Sequence, residues 1–121
     1  MAADGALGRL AREDEFRRVY REGVRRANAL LVVHARPNRL GTVRLGIVVG
    51  RRFGRAVRRN RLRRRLREAV RAGRRRLRGG VDLVVVPREG AAAAGLPELR
   101  AAIEDALAAT GLWGDGGEAP A

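Results

Sequence analysis

"GRAVRRNRLRRRLREAVR" runs from Gly54 to Arg71 and holds nine arginines, one glutamate and no lysine. Leu62, Leu66, Ala69 and Val70 recur through it at helical spacing. At about 100° per residue these four share one arc, the width of a core-facing stripe. Asn60, Arg63, Arg64, Arg67 and Arg71 occupy the flank beside the stripe, while Arg61, Arg65 and Glu68 lie further round. Arg59 points nearer the apolar arc. The spacing therefore predicts a helix over 56–77 that packs by one face and displays guanidinium groups on another.

The charge is local. Residues 51–78 hold 15 arginines and one acid, Glu68, whereas the rest of the chain balances 12 arginines against 12 acids. The whole net charge of +14 thus sits in one segment, and a concentrated field of this kind suits a polyanionic partner. A solvated helix face normally mixes signs, because like charges four residues apart repel. Arg59, Arg63, Arg67 and Arg71 stack at that spacing with no acid among them. Solubility alone does not call for this, and contact with nucleic acid does. No heptads follow the basic run and no short helix precedes it across a tight turn, so basic-zipper and helix-turn-helix readings fail. A basic helix beside an open sheet suits structured RNA, where shape and phosphate contacts dominate.

Outward from this helix the chain reads as one small α+β domain. "REDEFRRVYREG" (Arg12–Gly23) predicts a first helix, with Phe16, Val19 and Tyr20 on one stripe and acids in its first turn. Ala27–Pro37 and Thr42–Gly50 read as strands around an "NRLG" turn, and Val81–Val86 as a further strand ended by Pro87. Ala91–Pro97 reads as a mobile loop and Pro97–Gly111 as a final helix, with Trp113 capping the core. The expected order is α-β-β-α-β-α, one sheet with helices packed on it. Residues 1–8 are expected to be flexible, residues 9–113 to form the domain, and residues 114–121 to be a disordered tail.

Of 55 apolar residues 21 are alanine, which leaves 34 larger ones to build a modest single core. With no cysteine, disulfides and thiolate metal sites are excluded. No apolar run reaches membrane-spanning length, and the N-terminal stretch does not read as a signal peptide. The expectation is a soluble cytoplasmic protein with no membrane partner.

"VVGRRFGRAVRRNRLRRRLREAVR" (Val48–Arg71) resembles the signature of the bacterial ribonuclease P protein component. The matching positions are the basic pair Arg51 and Arg52, then Gly54, Ala56 and Val57, then Arg59-Asn60-Arg61, with Arg63, Arg64 and Arg67 downstream. "EFRRVYREG" followed by "AN" is similar to the family's first helix and its exit, and the likeness extends over about residues 8–113. The resemblance implies an αβββαβα sandwich with a left-handed βαβ crossover, although crossovers are right-handed by default. The additional strand would come from splitting Thr42–Gly50 or from its flanks. The resemblance also implies binding to a large catalytic RNA, in a 1:1 complex that removes the 5′ leader of precursor tRNA. Hydrolysis would be carried by the RNA with Mg²⁺ bound mainly by the RNA. Arg51, Arg52, Arg55, Arg58, Arg59, Asn60, Arg61, Arg63, Arg64 and Arg67 would contact RNA, and Arg74, Arg75 and Arg76 at most phosphate non-specifically.

The chain itself offers no catalytic constellation. It has one histidine, His34; Asp82 stands alone at the start of a strand, and Glu13–Glu15 suit a helix dipole. The resemblance further implies a cleft between the first helix and the sheet that receives the single-stranded leader. Phe16 and Tyr20 from the helix, and His34 from the first strand, are its candidate lining; the alternative for each is core or plain surface. Two other functions stay open at this point: a ribosomal-type RNA-binding protein, and a basic amphipathic helix docking on an acidic surface.

Overall fold

The computed structural model describes residues 7–77 and 80–112. A five-stranded sheet is built from β1 (Gly8–Arg9), β2 (Val24–Ala27), β3 (Leu31–Pro37), β4 (Val43–Ile47) and β5 (Val81–Pro87), in the order β1-β4-β5-β3-β2. Three helices accompany it: α1 (Glu13–Glu22), α2 (Ala56–Gly73) and α3 (Leu96–Ala109). β4 and β5 are parallel neighbours joined through α2, and β3 lies antiparallel to both β5 and β2.

Alternation along the strands divides the sheet into two unequal faces. Leu31, Val33 and Ala35 of β3, Val43 and Leu45 of β4, and Val81, Leu83 and Val85 of β5 enter the main core. There they meet Leu62, Leu66, Ala69 and Val70 of α2 and Leu99, Ile103, Ala106 and Leu107 of α3. The predicted stripe of the basic helix is thus its buried stripe. The other face carries a much smaller cluster, in which Leu10 and Val19 pack with Val84, flanked by Phe16 and Val86. α1 lies over it. Gly46 makes this approach possible, since a Cβ there would stand 2.5 Å from the Phe16 ring.

Several sequence expectations need correction. Ala27–Pro37 is not one strand but the end of β2, a turn, and β3. Asn28 makes the break: its Oδ1 accepts from the backbone N–H groups of Leu30 and Leu31 at 3.0 and 3.2 Å. Its Nδ2 donates to the Ala102 carbonyl at 3.0 Å, docking the turn on α3. Such asparagine turns compete with extended structure wherever the side chain can reach its own backbone. The additional strands therefore lie at Val24–Ala27 and Gly8–Arg9, and Thr42–Gly50 is not split. β2 escapes the strand pattern because it is an edge, with Arg25 and Arg26 exposed. At the α1–β2 junction Gly23 runs so close that a Cβ would sit 2.5 Å from the Val19 carbonyl and 2.7 Å from that of Ala35.

Gly8 belongs to β1 rather than to a flexible segment, while residues 1–6, Trp113 and the tail 114–121 lie outside the described residues. α2 stops at Gly73, and Arg74–Arg76 continue as a 3-10 turn. The stretch expected to be a mobile loop contains most of a 3-10 turn at Glu89–Ala93, and Ala91 and Ala94 are buried in the main core.

Candidate nucleic-acid interface

α2 displays its arginines as the helical wheel requires. Arg55, Arg58, Asn60, Arg61 and Arg64 are exposed, and Arg59, Arg63 and Arg67 are half-buried along the edge of the core stripe. Arg51 and Arg52 are exposed on a 3-10 turn (Arg51–Phe53) just ahead of α2. Gly54, at a φ of 104°, makes the link between turn and helix, a backbone state that L side chains resist. Arg59 leans toward the apolar arc as its position on the wheel suggests, and its Nε is buried with no hydrogen-bond partner.

Cation crowding is visible at single residues. The Nη1 of Arg63 donates to the Asn60 side-chain carbonyl at 2.9 Å, so Asn60 orients an arginine of the flank. Burial, and then the charges of Arg9 and Arg71, hold the Arg67 guanidinium below its ordinary value. The only acid of α2, Glu68, approaches Arg71 at 3.9 Å. A polyanion laid along this face would relieve that repulsion, which a water-exposed helix cannot do for itself. Arg65 is different: its two terminal nitrogens donate to the carbonyls of Ala94 and Ala92 at 3.2 and 3.3 Å, so it ties α2 to the turn at 89–93. The hydrogen-bonding role of Arg65 is a tertiary one, and nothing in a charge run distinguishes it from its neighbours.

On the opposite face of the sheet Tyr20 and His34 meet edge to face, with ring centroids 4.7 Å apart at an interplanar angle of 88°. Tyr20 is 43% exposed although it is aromatic, and it meets His34 where α1 crosses β3. Phe16 shares this side of α1 but lies deeper, half-buried in the small cluster over Gly46. Arg25 of β2 is the cross-strand neighbour of His34, and Val84 the neighbour on β5.

His34 is held below its ordinary value of 6.5, first by burial and then by the charge of Arg25, and its Nδ1 is buried without a partner. The unfolded chain therefore binds a proton here that the folded one resists. The stability this contributes is present above about pH 6.5 and is lost as the pH falls toward the folded-state value. Urea unfolding at about pH 7.5 and about pH 5.5 is expected to show a smaller loss for His34→Gln than for the parent protein. Equal losses would mean that the imidazole titrates freely.

Asp82 does not stand alone. It is buried, and Arg44 on the adjacent strand grips it through Nε to Oδ1 and Nη2 to Oδ2, both at 2.8 Å. Asn38 adds a hydrogen bond to Oδ1 at 2.7 Å, and the Nη1 of Arg44 reaches Glu15 at 2.9 Å. Glu15 also accepts from the backbone N–H groups of Ala11 and Arg12, closing the first turn of α1. These carboxylates are thus bound up with arginine and backbone. Among the described residues no three histidine, aspartate or glutamate side chains stand together as a metal site, and no helix is long and apolar enough to cross a membrane.

The comparisons with known proteins agree on family and fold. The family model for ribonuclease P matches residues 6–111. The ribonuclease P protein component of Symbiobacterium thermophilum is 44% identical over 98 residues, which cover 80% of this chain and 85% of that protein. The ribonuclease P protein structure from Staphylococcus aureus superposes with a TM-score of 0.77 at 27% identity, over 87% of this chain and 96% of that one. The one from Thermotoga maritima gives 0.72 at 35% identity, over 80% and 92%. A ribosomal-type protein would account for a basic helix on a sheet, but not for a family match running from before β1 to the end of α3. The chain therefore belongs to the ribonuclease P protein family, the protein subunit of the endonuclease holoenzyme that matures the 5′ ends of tRNA.

Proposed function

We propose that the arginine face of α2, with Arg51 and Arg52 ahead of it, binds the catalytic RNA of a bacterial ribonuclease P. On this reading the cleft at Tyr20 and His34 holds the single-stranded 5′ leader of precursor tRNA. The observation that carries it is the division of α2 into a buried apolar stripe and an exposed flank on which no acid interrupts the arginines from Arg51 to Arg67. Phosphate neutralisation by such a flank supplies affinity without sequence preference, and ring faces beside cations hold unpaired strands.

Chemistry at the scissile phosphate belongs on this reading to the RNA, in a 1:1 complex. On this reading Mg²⁺ is bound mainly by the RNA. The protein's own part is to bind, to orient and to screen charge. A cytoplasmic site of action goes with this assignment.

Reconstitution tests it. The protein alone is expected to leave precursor tRNA intact, and addition of a bacterial ribonuclease P RNA with Mg²⁺ to give cleavage near physiological salt. Cleavage by rigorously purified protein without RNA would refute the division of labour. Within that assay Tyr20→Ala is expected to weaken binding of precursor tRNA to the holoenzyme about tenfold, within the range for loss of one stacked base. Mature tRNA, which has no leader, should be bound unchanged. Proportional weakening for both RNAs together with a lowered melting temperature would return Tyr20 to a structural role.

A further inference from the structure

A cavity of about 280 Å³ opens where the turn at 51–53, the first half of α2 and the turn at 89–93 meet. Phe53, Leu62 and Ala92 supply its apolar lining, and Arg58, Arg61 and Arg65 the rest; no acid lines it. Phe53 is only half-buried against the main core, and the guanidinium carbon of Arg52 stands 5.2 Å from its ring centroid. The hydrogen bonds from Arg65 to the Ala92 and Ala94 carbonyls fix the far wall. Arg58 and Arg61, by contrast, are exposed and make no hydrogen bond or ion pair among the described residues. Beyond these two arginines lies a second, more open hollow with Gly54, Arg55 and Val57, the last of these 68% exposed. Arg58 and Arg61 thus form a cationic ridge between two hollows.

The size and the lining together select an occupant. The cavity falls just below the roughly 300–1,000 Å³ of pockets for whole small molecules, which suits a single planar ring system. An aromatic floor with a guanidinium rim is how unpaired bases are held when an RNA is recognised away from its helices. An acidic peptide would satisfy the arginines but would bring no ring into the cavity to pack against Phe53. We infer that this cavity is a subsite for one unpaired base of the partner RNA, the base against Phe53 and its neighbouring phosphates on Arg58 and Arg61. This rests on the reading of α2 as the RNA interface and adds to it a position that responds to a base rather than to charge.

Binding of the full chain to a bacterial ribonuclease P RNA, titrated across salt concentrations, tests the subsite. Phe53→Leu keeps an apolar side chain against the core and removes the aromatic face. It is expected to lower affinity about tenfold. The slope of log affinity against log salt should stay unchanged, because every phosphate keeps its arginine. Phe53→Tyr should restore the affinity. Parent-like binding by Phe53→Leu would overturn the subsite, as would failure of Phe53→Tyr to bind better than Phe53→Leu. Should Phe53→Leu fail to fold, a photo-crosslinking phenylalanine analogue at position 53 decides. Crosslinks to one unpaired nucleotide support the subsite, and crosslinks to helical nucleotides or none defeat it. The two readings fail separately: Arg63→Ala with Arg67→Ala binding like the parent sinks the interface, whereas weakened binding there with an indifferent Phe53→Leu sinks only the subsite.

Discussion

Simultaneous replacement of Arg59, Arg61, Arg63, Arg64 and Arg67 by glutamine is expected to lower affinity for ribonuclease P RNA on the order of a thousandfold or more near 0.1 M salt. Each phosphate left without its arginine takes up to about 0.9 units from the slope of log affinity against log salt, so five flatten it by up to about 4.5 units. The fold should survive, because the buried stripe of α2 is Leu62, Leu66, Ala69 and Val70 and none of these is touched. Stability should even rise slightly as repulsion along the flank is relieved. Arg100→Gln, at an exposed position of α3, serves as the control for charge alone. If removing that one arginine costs as much as removing one from the flank, α2 is not the interface but merely the largest part of a diffuse field.

The second large effect concerns stability. Arg44→Met is expected to destabilise the protein by about 3–5 kcal/mol, the usual cost of stranding one member of a buried ion pair. The Asp82 side chain is only 3% exposed, and without Arg44 it retains just the hydrogen bond from Asn38. Burial alone would push the Asp82 carboxyl upward. The hydrogen bonds from Arg44 and Asn38 and the charge of Arg44 outweigh burial and hold the carboxyl below its ordinary 3.8. In the parent protein this contribution is therefore present above about pH 3.8 and lost as the pH falls through the folded-state value. In Arg44→Met the sign reverses: the unpaired carboxyl takes up a proton more readily folded than unfolded. The gap to the parent should then narrow from about pH 7 to about pH 4. Arg44→Met with Asp82→Leu should recover most of the loss, since an apolar pair of similar shape removes the stranded charge. Urea unfolding of the three proteins measures all of this, and a single variant within about 1 kcal/mol of the parent would show the pair to be dispensable.

Why is Arg44 not visible as a structural residue in the sequence? Its partner is 38 positions away, and only the parallel register of β4 on β5 sets the two side by side. Period and composition carry no register across a helical crossover. The same limit hides the role of Arg65, whose partners are backbone carbonyls of the turn at 89–93. What does read correctly depends on near neighbours. The two faces of α2 follow from helical spacing, and the buried runs of β4 and β5 from apolar continuity. Spacing puts Phe16, Val19 and Tyr20 on one face of α1, and they do lie on it, but it cannot say how deep each sits. Gly46 decides that by letting Phe16 down onto the sheet while Tyr20 stays out beside His34. The hairpin at Asn28 escapes for another local reason: a side chain that substitutes for backbone interrupts a strand without changing the apolar pattern around it.

The unequal faces of the sheet also rank the parts of the molecule by how easily they open. α2 and α3 share the main core, so neither leaves without exposing the interior of the other. α1 is held by Val19, the flank of Phe16, the edge-to-face contact of Tyr20 with His34, and two partly exposed ion pairs, Glu15 with Arg44 and Glu22 with Arg36. Little apolar surface is uncovered when it lifts, so its release is a local event that costs only a fraction of the global unfolding free energy. Backbone amides of α1 are therefore expected to exchange with solvent before those of β5 in a native-state hydrogen-exchange measurement. Tyr20 thus sits on the helix that shares least of the main core, and anything that bridges Tyr20 to His34 ties that helix down to β3.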